Sequence, residues 1–160
     1  KSGWVLENGA LTGNDNPNAD PEILVAIGEL ATSIGAADIT EIEFITTAFD
    51  VSAGGTIQVR VRFNEEVDVT GTPQLTVVND SRANHTLSYA SGTGSNELVF
   101  SLTIAAGGGG VIAEDDVLSI GANATALNGG TIKDAGTNTA STITNAAGVG
   151  TAAGTITVTA

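Results

Sequence analysis

Few side chains in this sequence could carry out acid–base or redox-metal chemistry. The single histidine, His85, follows a turn that contains Arg82, and cysteine is absent. A Ser-His-Asp relay needs a serine and an acid that converge on the histidine, and no Gly-x-Ser-x-Gly elbow occurs. Zinc and iron sites need several His or Cys ligands. We therefore predict a surface histidine and a protein that is not an enzyme.

The remaining candidate cofactor is calcium, because the sequence is rich in carboxylate oxygens and has almost no nitrogen or sulfur ligands. Calcium takes about six to eight oxygen ligands from carboxylates, carbonyls and water. Acidic residues cluster at Glu114, Asp115 and Asp116, with similar groups at residues 65–68 and 14–20. None of these groups has the spacing of an EF-hand loop. The sequence favours solvated acidic loops and no cofactor, with calcium at residues 114–116 as the alternative.

The charge balance narrows the choice of partners. The chain has 160 residues, 18 acidic and 5 basic, for a net charge of −13. Such a chain repels phosphate backbones and anionic lipid surfaces, so we expect no nucleic-acid partner. No apolar run approaches the roughly 20 residues of a membrane helix, so membrane insertion is not expected. The length fits one domain with an appendage.

The first 36 residues form the appendage in this interpretation. Trp4, Val5 and Leu6 make a short apolar run around the only tryptophan. An Asp-Pro-Glu start at residue 20 and an apolar stripe then predict a helix over residues 21–34, although its first residues also suit a strand. We predict that this arm anchors the protein, or alternatively covers one end of its own β domain. The predicted interface residues are Trp4, Val5, Leu6, Ile23, Ile27, Leu30 and Ile34.

From about residue 37 the hydrophobic pattern has a period of two. Apolar residues at 57, 59, 61 and 63 alternate with polar ones, among them Arg60 and Arg62. This alternation predicts a strand with one buried face and one wet face, on which the two arginines pair with acids of a neighbouring strand or a partner. About seven such strands, separated by turn residues, predict an all-β fold. We assign residues 37–160 to an antiparallel β-sandwich of about seven strands.

Three segments resemble the bacterial immunoglobulin-like repeats of large surface adhesins. Residues 61–77, VRFNEEVDVTGTPQLTV, are similar to the repeat's F-x-E-x-V-x-V-x-G-x-P-x-L-x-V segment. Residues 87–100, LSYASGTGSNELVF, are similar to its Y-x-S-G-S-G hairpin, and residues 128–136, NGGTIKDAG, to its Asn-Gly-Gly turn. The resemblance spans residues 38–160 and implies that the all-β domain at residues 37–160 is an immunoglobulin-like antiparallel β-sandwich. It does not identify the partner, because adhesins and phage virion proteins both use such modules.

Two functions fit these observations. We expect a structural protein of a phage virion surface, which decorates a capsid or tail and has the β domain projecting from the particle. Its partners would be the capsid or tail shell or copies of itself, with host-surface glycans as further ligands. The alternative is an extracellular module at the bacterial cell surface, either an adhesin repeat or a filament subunit. A filament could form by strand exchange of residues 1–12 or 150–159.

Overall fold

The computed structural model describes the backbone of residues 2–6 and 22–27 and all residues from 35 to 160. The chain divides into two compact units, Lys1–Ile34 and Gly35–Ala160. In the described residues, no helix is long and apolar enough to span a membrane.

The first unit contains an antiparallel strand pair. Strand β1, Ser2–Leu6, pairs with β2, Glu22–Ile27, and a bulge lies between Trp4 and Val5. The predicted helix over residues 21–34 is therefore wrong for residues 22–27. The run Glu-Ile-Leu-Val-Ala-Ile is rich in β-branched residues, which favour extended backbone, and β1 supplies a partner for its hydrogen bonds. Residues 28–34, including Leu30 and Ile34, lie outside the described part of the chain.

The second unit is built from ten strands and two short helices. The strands are β3 (Ile39–Phe44), β4 (Phe49–Asp50), β5 (Gly55–Thr70), β6 (Gln74–Asn79), β7 (His85–Ser91), β8 (Ser95–Ile104), β9 (Val117–Ser119), β10 (Thr125–Ala126), β11 (Thr131–Asp134) and β12 (Ile156–Thr159). A 3-10 turn covers Gly108–Gly110, and helix α1 covers Ala147–Thr151. The all-β prediction is confirmed.

The strands form one curled, mixed sheet in the order β11-β5-β8-β7-β6-β9-β12-β4. Strand β3 pairs with β5, and β10 pairs with β6. Strands β4 and β12 are parallel, and the other pairs are antiparallel. The strand number exceeds the predicted seven, and the sheet is not purely antiparallel. Its division into two stacked layers stays a prediction.

The alternating residues of β5 and β8 supply the centre of the core. Ile57, Val59 and Val61 are fully buried, as are Leu98 and Phe100 on the paired strand. Strand β12 contributes Ile156 and Val158, which are at most 2% exposed. Burial of one such side chain stabilises the fold by about 1.5–3 kcal/mol relative to its exposure. This core fixes the loops that join β6 to β7 and β8 to β9, where polar side chains gather.

Candidate functional site

Four polar side chains meet where β6 ends, β7 begins and the chain enters β9. Asn79 is the last residue of β6, His85 is the first of β7, and Asp116 directly precedes β9. These three residues are 3–5% exposed, whereas the side chain of Arg82 in the intervening turn is 41% exposed. We call these four residues the Asn79 cluster. Buried polar groups of this kind are stable only when they are hydrogen bonded.

The amide of Asn79 has one defined orientation. Its Oδ1 accepts hydrogen bonds from the backbone N–H groups of Ser81 (3.0 Å) and Arg82 (3.1 Å), which closes the turn locally. The Nδ2 group therefore faces Asp116 Oδ2 at 2.9 Å and His85 Nε2 at 3.3 Å. Since an amide NH₂ can only donate, Nε2 must accept, and the proton of the neutral imidazole lies on Nδ1.

One carboxylate oxygen of Asp116, Oδ2, has three polar partners. It lies 2.9 Å from the backbone nitrogen of Ala113, 2.9 Å from Asn79 Nδ2 and 3.1 Å from Arg82 Nε. Burial by itself raises the pKa of this carboxyl group. The donors and the positive charge of Arg82 outweigh that effect, so the pKa of Asp116 lies below its usual value. The carboxylate form is therefore held at neutral pH.

The prediction of a surface histidine is wrong, because His85 is only 5% exposed. The desolvation of the ring lowers the pKa of His85 below its usual value, and the charge of Asp116 opposes that shift. The ring is therefore neutral at pH 7. Its basic lone pair, on Nε2, is directed at Asn79 and is already used.

A cleft of about 710 Å³ lies beside the cluster. His85 and Thr86 line it from β7, Thr103 and Ile104 line it from β8, and the Gly108–Gly110 turn lines it from the connection to β9. Arg82 is also part of the lining, and no Asp or Glu is, although the chain carries 18 acidic residues. The cleft is therefore lined by one arginine and no acid, and that arginine is paired with the buried Asp116.

The calcium candidates Glu114, Asp115 and Asp116 do not form a shared ligand set in the structure, and the acidic group at residues 14–20 lies outside the described residues. Glu114 and Asp115 are exposed, whereas Asp116 is buried and directed into the Asn79 cluster. Asp115 also takes a positive φ of 65°. Within the described residues, no group of three or more His, Cys, Asp or Glu side chains could hold a metal ion.

The ion pairs predicted for Arg60 and Arg62 are confirmed. Arg60 pairs with Glu43 on β3 and, at 3.2 Å, with Glu97 on β8. Arg62 contacts Glu41 and Glu97, each at 2.8 Å. Three glutamates thus surround two arginines on the open face of the sheet. The pKa of Glu97 is lowered, and the largest cause is the hydrogen bond that it accepts from Arg62. We call these five residues the ionic face.

The predicted interface residues lie in the N-terminal unit as far as the structure describes them. Strand β1 contains Trp4, Val5 and Leu6, and β2 contains Ile23 and Ile27. The backbone register places Trp4 opposite Val25 and Val5 opposite Ile23. The strand pair thus brings together two apolar segments that are well separated along the chain.

No family model, curated protein or solved structure matches this chain. The similarity to immunoglobulin-like repeats therefore rests on the three quoted segments alone. In the structure these segments occupy β5 with β6, β7 with β8, and the turn that leads into β11.

Sequence reasoning missed the Asn79 cluster. Its members are separated by up to 37 positions, the distance from Asn79 to Asp116, and the period of the strands does not reveal their contacts. One local signal was present. An asparagine at the end of an alternating strand, followed by Asp-Ser, is typical of a side chain that caps a turn.

Proposed function

We propose that the protein is a non-enzymatic structural and interaction protein of a phage virion surface. In this proposal, residues 35–160 form a projecting β unit and the N-terminal strand pair docks on the capsid or tail shell. The observation that carries the non-enzymatic part is the orientation of His85. Its only basic lone pair accepts a hydrogen bond from Asn79, so at neutral pH the ring presents no free base to a molecule in the neighbouring cleft.

Asp116 and the neighbouring Ser81 support the same proposal. Asp116 is tied to three donors, and Ser81 Oγ donates to Asp80 at 2.9 Å. A nucleophile–base pair needs a hydroxyl within hydrogen-bonding reach of a free base, and His85 offers none. These contacts fit a network that fixes the β6–β7 turn.

The division of the chain into two compact units supports a docking role for the N-terminal unit. Residues 1–34 form a compact unit of their own, and this unit carries the only tryptophan. Tryptophan is among the residue types that dominate interface energies.

The test is co-sedimentation of the purified full chain with undecorated phage particles. We expect saturable binding that Trp4→Ala weakens by at least tenfold, because an aromatic anchor contributes about 2 kcal/mol or more. The matched control is Val111→Ala, which shortens a 53% exposed side chain of the β unit and should leave binding unchanged. Absence of binding at saturating concentration contradicts the virion proposal.

The adhesin alternative is favoured by one observation, the arrangement of the three similar segments on neighbouring strands. Adjacent immunoglobulin-like repeats or a secretion signal in the parent gene would support it, whereas neighbouring capsid and portal genes would support the virion proposal. A filament made by exchange of β12 is less favourable. That strand lies between β9 and β4, and its release would expose Ile156 and Val158.

A further inference from the structure

The pairing between β7 and β8 stops before the two strands end. Their ladder includes Ser88 with Ser101 and Tyr89 with Phe100, and it does not extend to Thr86 and Thr103. The same register would pair these two threonines. Instead, β7 continues along β6 and β8 continues along β5. Residues of both strands line the cleft, so the strands separate there. We call this gap the β7–β8 seam.

The backbone groups of Thr86 face the seam. The N–H of Tyr89 donates to the carbonyl of Pro73 at 2.9 Å, so Tyr89 points its peptide groups away from β8 and towards the β6 side. Peptide groups of successive residues in an antiparallel strand point in alternate directions. Leu87 and His85 therefore share the direction of Tyr89, and Thr86 points towards β8.

The backbone groups of Thr103 face the seam from the other side. The N–H of Ile45 donates to the carbonyl of Gln58 at 2.9 Å, so Gln58 on β5 points towards β3. By alternation, Ile57 points towards β8 and bonds its partner Leu102. Thr103 then points away from β5 and into the seam. Both threonine side chains are exposed, so the two strand edges are accessible.

The charges at the seam indicate what kind of segment fits. Arg82 contacts Asp116 through Nε, which leaves its two terminal nitrogens available as donors. His85 offers Nδ1–H, because its Nε2 accepts from Asn79. The lining contains no carboxylate, and the one carboxylate that contacts Arg82, that of Asp116, is buried. By contrast, Arg60 and Arg62 are already surrounded by three glutamates on the ionic face. A carboxylate is the group that complements Arg82 and His85.

The geometry points to a binding site for an extended acidic peptide segment of a partner protein in the β7–β8 seam. The segment adds a strand, bonds its backbone to Thr86 and Thr103, and places one carboxylate side chain against Arg82 and His85. A volume of about 710 Å³ accommodates a few residues in extended form. This site is independent of the docking role proposed for residues 1–34.

The test uses the full chain labelled with ¹⁵N and a blocked pentapeptide, acetyl-TVDVT-amide, followed by NMR titration and amide hydrogen exchange. We expect saturable binding at about 1 mM peptide or below, with exchange of the Thr86 and Thr103 amides slowed at saturation. Replacing the central Asp of the peptide by Asn should weaken binding by about fivefold or more, because charge-assisted hydrogen bonds are stronger. N-methylation of that central residue should also weaken it.

Two protein variants complete the test. Arg82→Gln should reduce the affinity for the acidic peptide towards that of the Asn peptide, whereas Arg60→Gln, a charge change on the ionic face, should leave it unchanged. The peptide comparisons do not depend on how well these variants fold. Absence of binding, equal affinity for the Asp and Asn peptides, or binding without protection of Thr86 and Thr103 would overturn the proposal. Equally tight binding of the blocked single residue acetyl-Asp-amide would also overturn it.

Discussion

Replacing Asn79 with alanine removes the side chain that joins the β6–β7 turn to the segment before β9. Two backbone donors, at Ser81 and Arg82, lose their acceptor, and His85 Nε2 and Asp116 Oδ2 lose a donor. The site is 4% exposed, so water does not readily replace these partners. We expect Asn79→Ala to be among the more destabilising substitutions of a polar residue in this protein.

The magnitude follows from the four hydrogen bonds of Asn79. Each contributes about 0.5–1.5 kcal/mol net, so the free energy of unfolding should fall by about 4 kcal/mol. For a chain of this length, that corresponds to a decrease in Tm of about 8–16 °C. The matched control is Asn84→Ala in the same turn. The exposed Asn84 side chain accepts one long hydrogen bond, 3.4 Å from the backbone nitrogen of Asn79, so we expect its replacement to cost less than about 1 kcal/mol.

The assay combines urea unfolding at pH 7 with NMR titration of the imidazole, which is unambiguous because the chain has one histidine. Loss of the Asn79 donor leaves Nε2 free to take up a proton beside Asp116, so the pKa of His85 should rise in Asn79→Ala and stay unchanged in Asn84→Ala. A stability loss equal to that of the control would refute the hydrogen-bond assignment. A fall in the pKa of His85 would refute the assigned tautomer.

Three further predictions concern stability. Gly150→Ala brings a Cβ to within 2.5 Å of the Ile120 carbonyl oxygen, so the free energy of unfolding in urea should fall by about 1–3 kcal/mol. The control is Gly148→Ala on the same helix, whose Cβ meets no atom within 4 Å. This substitution should raise the free energy of unfolding by up to about 1 kcal/mol. Because the pKa of His85 is lowered in the folded state, the unfolded state binds more protons between that pKa and about pH 6.5, so the free energy of unfolding should fall as the pH drops through this window. His85→Gln should remove the part of that slope above about pH 5.5, where carboxyl groups contribute little, and an unchanged slope there would contradict the assignment. Glu97→Gln should lower the Tm in dilute buffer, and the difference should shrink in about 1 M NaCl, since the charges of the ionic face are partly exposed. An effect independent of salt would contradict this.

The strands that could be predicted from the sequence are those with one buried face. Strands β5 and β8 alternate apolar and polar residues over many positions, and a shift by one residue would place every apolar side chain in water. The same alternation placed Arg60 and Arg62 on the wet face, where acids on both neighbouring strands reach them. A long period-two pattern therefore carries information about both the fold and the ionic face.

The prediction failed where the local signals disagreed. Residues 20–22 resemble a helix start, but Ile23, Val25 and Ile27 are β-branched and alternate, and a distant strand provides their partner. Two-residue strands such as β4 and β10 are too short for any periodic signal. His85 was misplaced because one residue in a turn-rich segment gives no indication of burial. The charge beside the ring belongs to Asp116, which lies 31 positions further along the chain and is not predictable as a neighbour of His85 from the sequence.

The position of β12 has a mechanical consequence. The strand lies between β9, which is antiparallel to it, and β4, which is parallel to it, and Val51 N–H adds a 2.8 Å hydrogen bond to the carbonyl of Thr159. A pulling force on Ala160 directed along the strand axis would load these bonds together in shear, and not peel them off one after another. Resistance to such a force is governed by the rate of unfolding. Strand β12, which is hydrogen bonded along both edges, should therefore resist extraction along its axis more strongly than a strand with one partner.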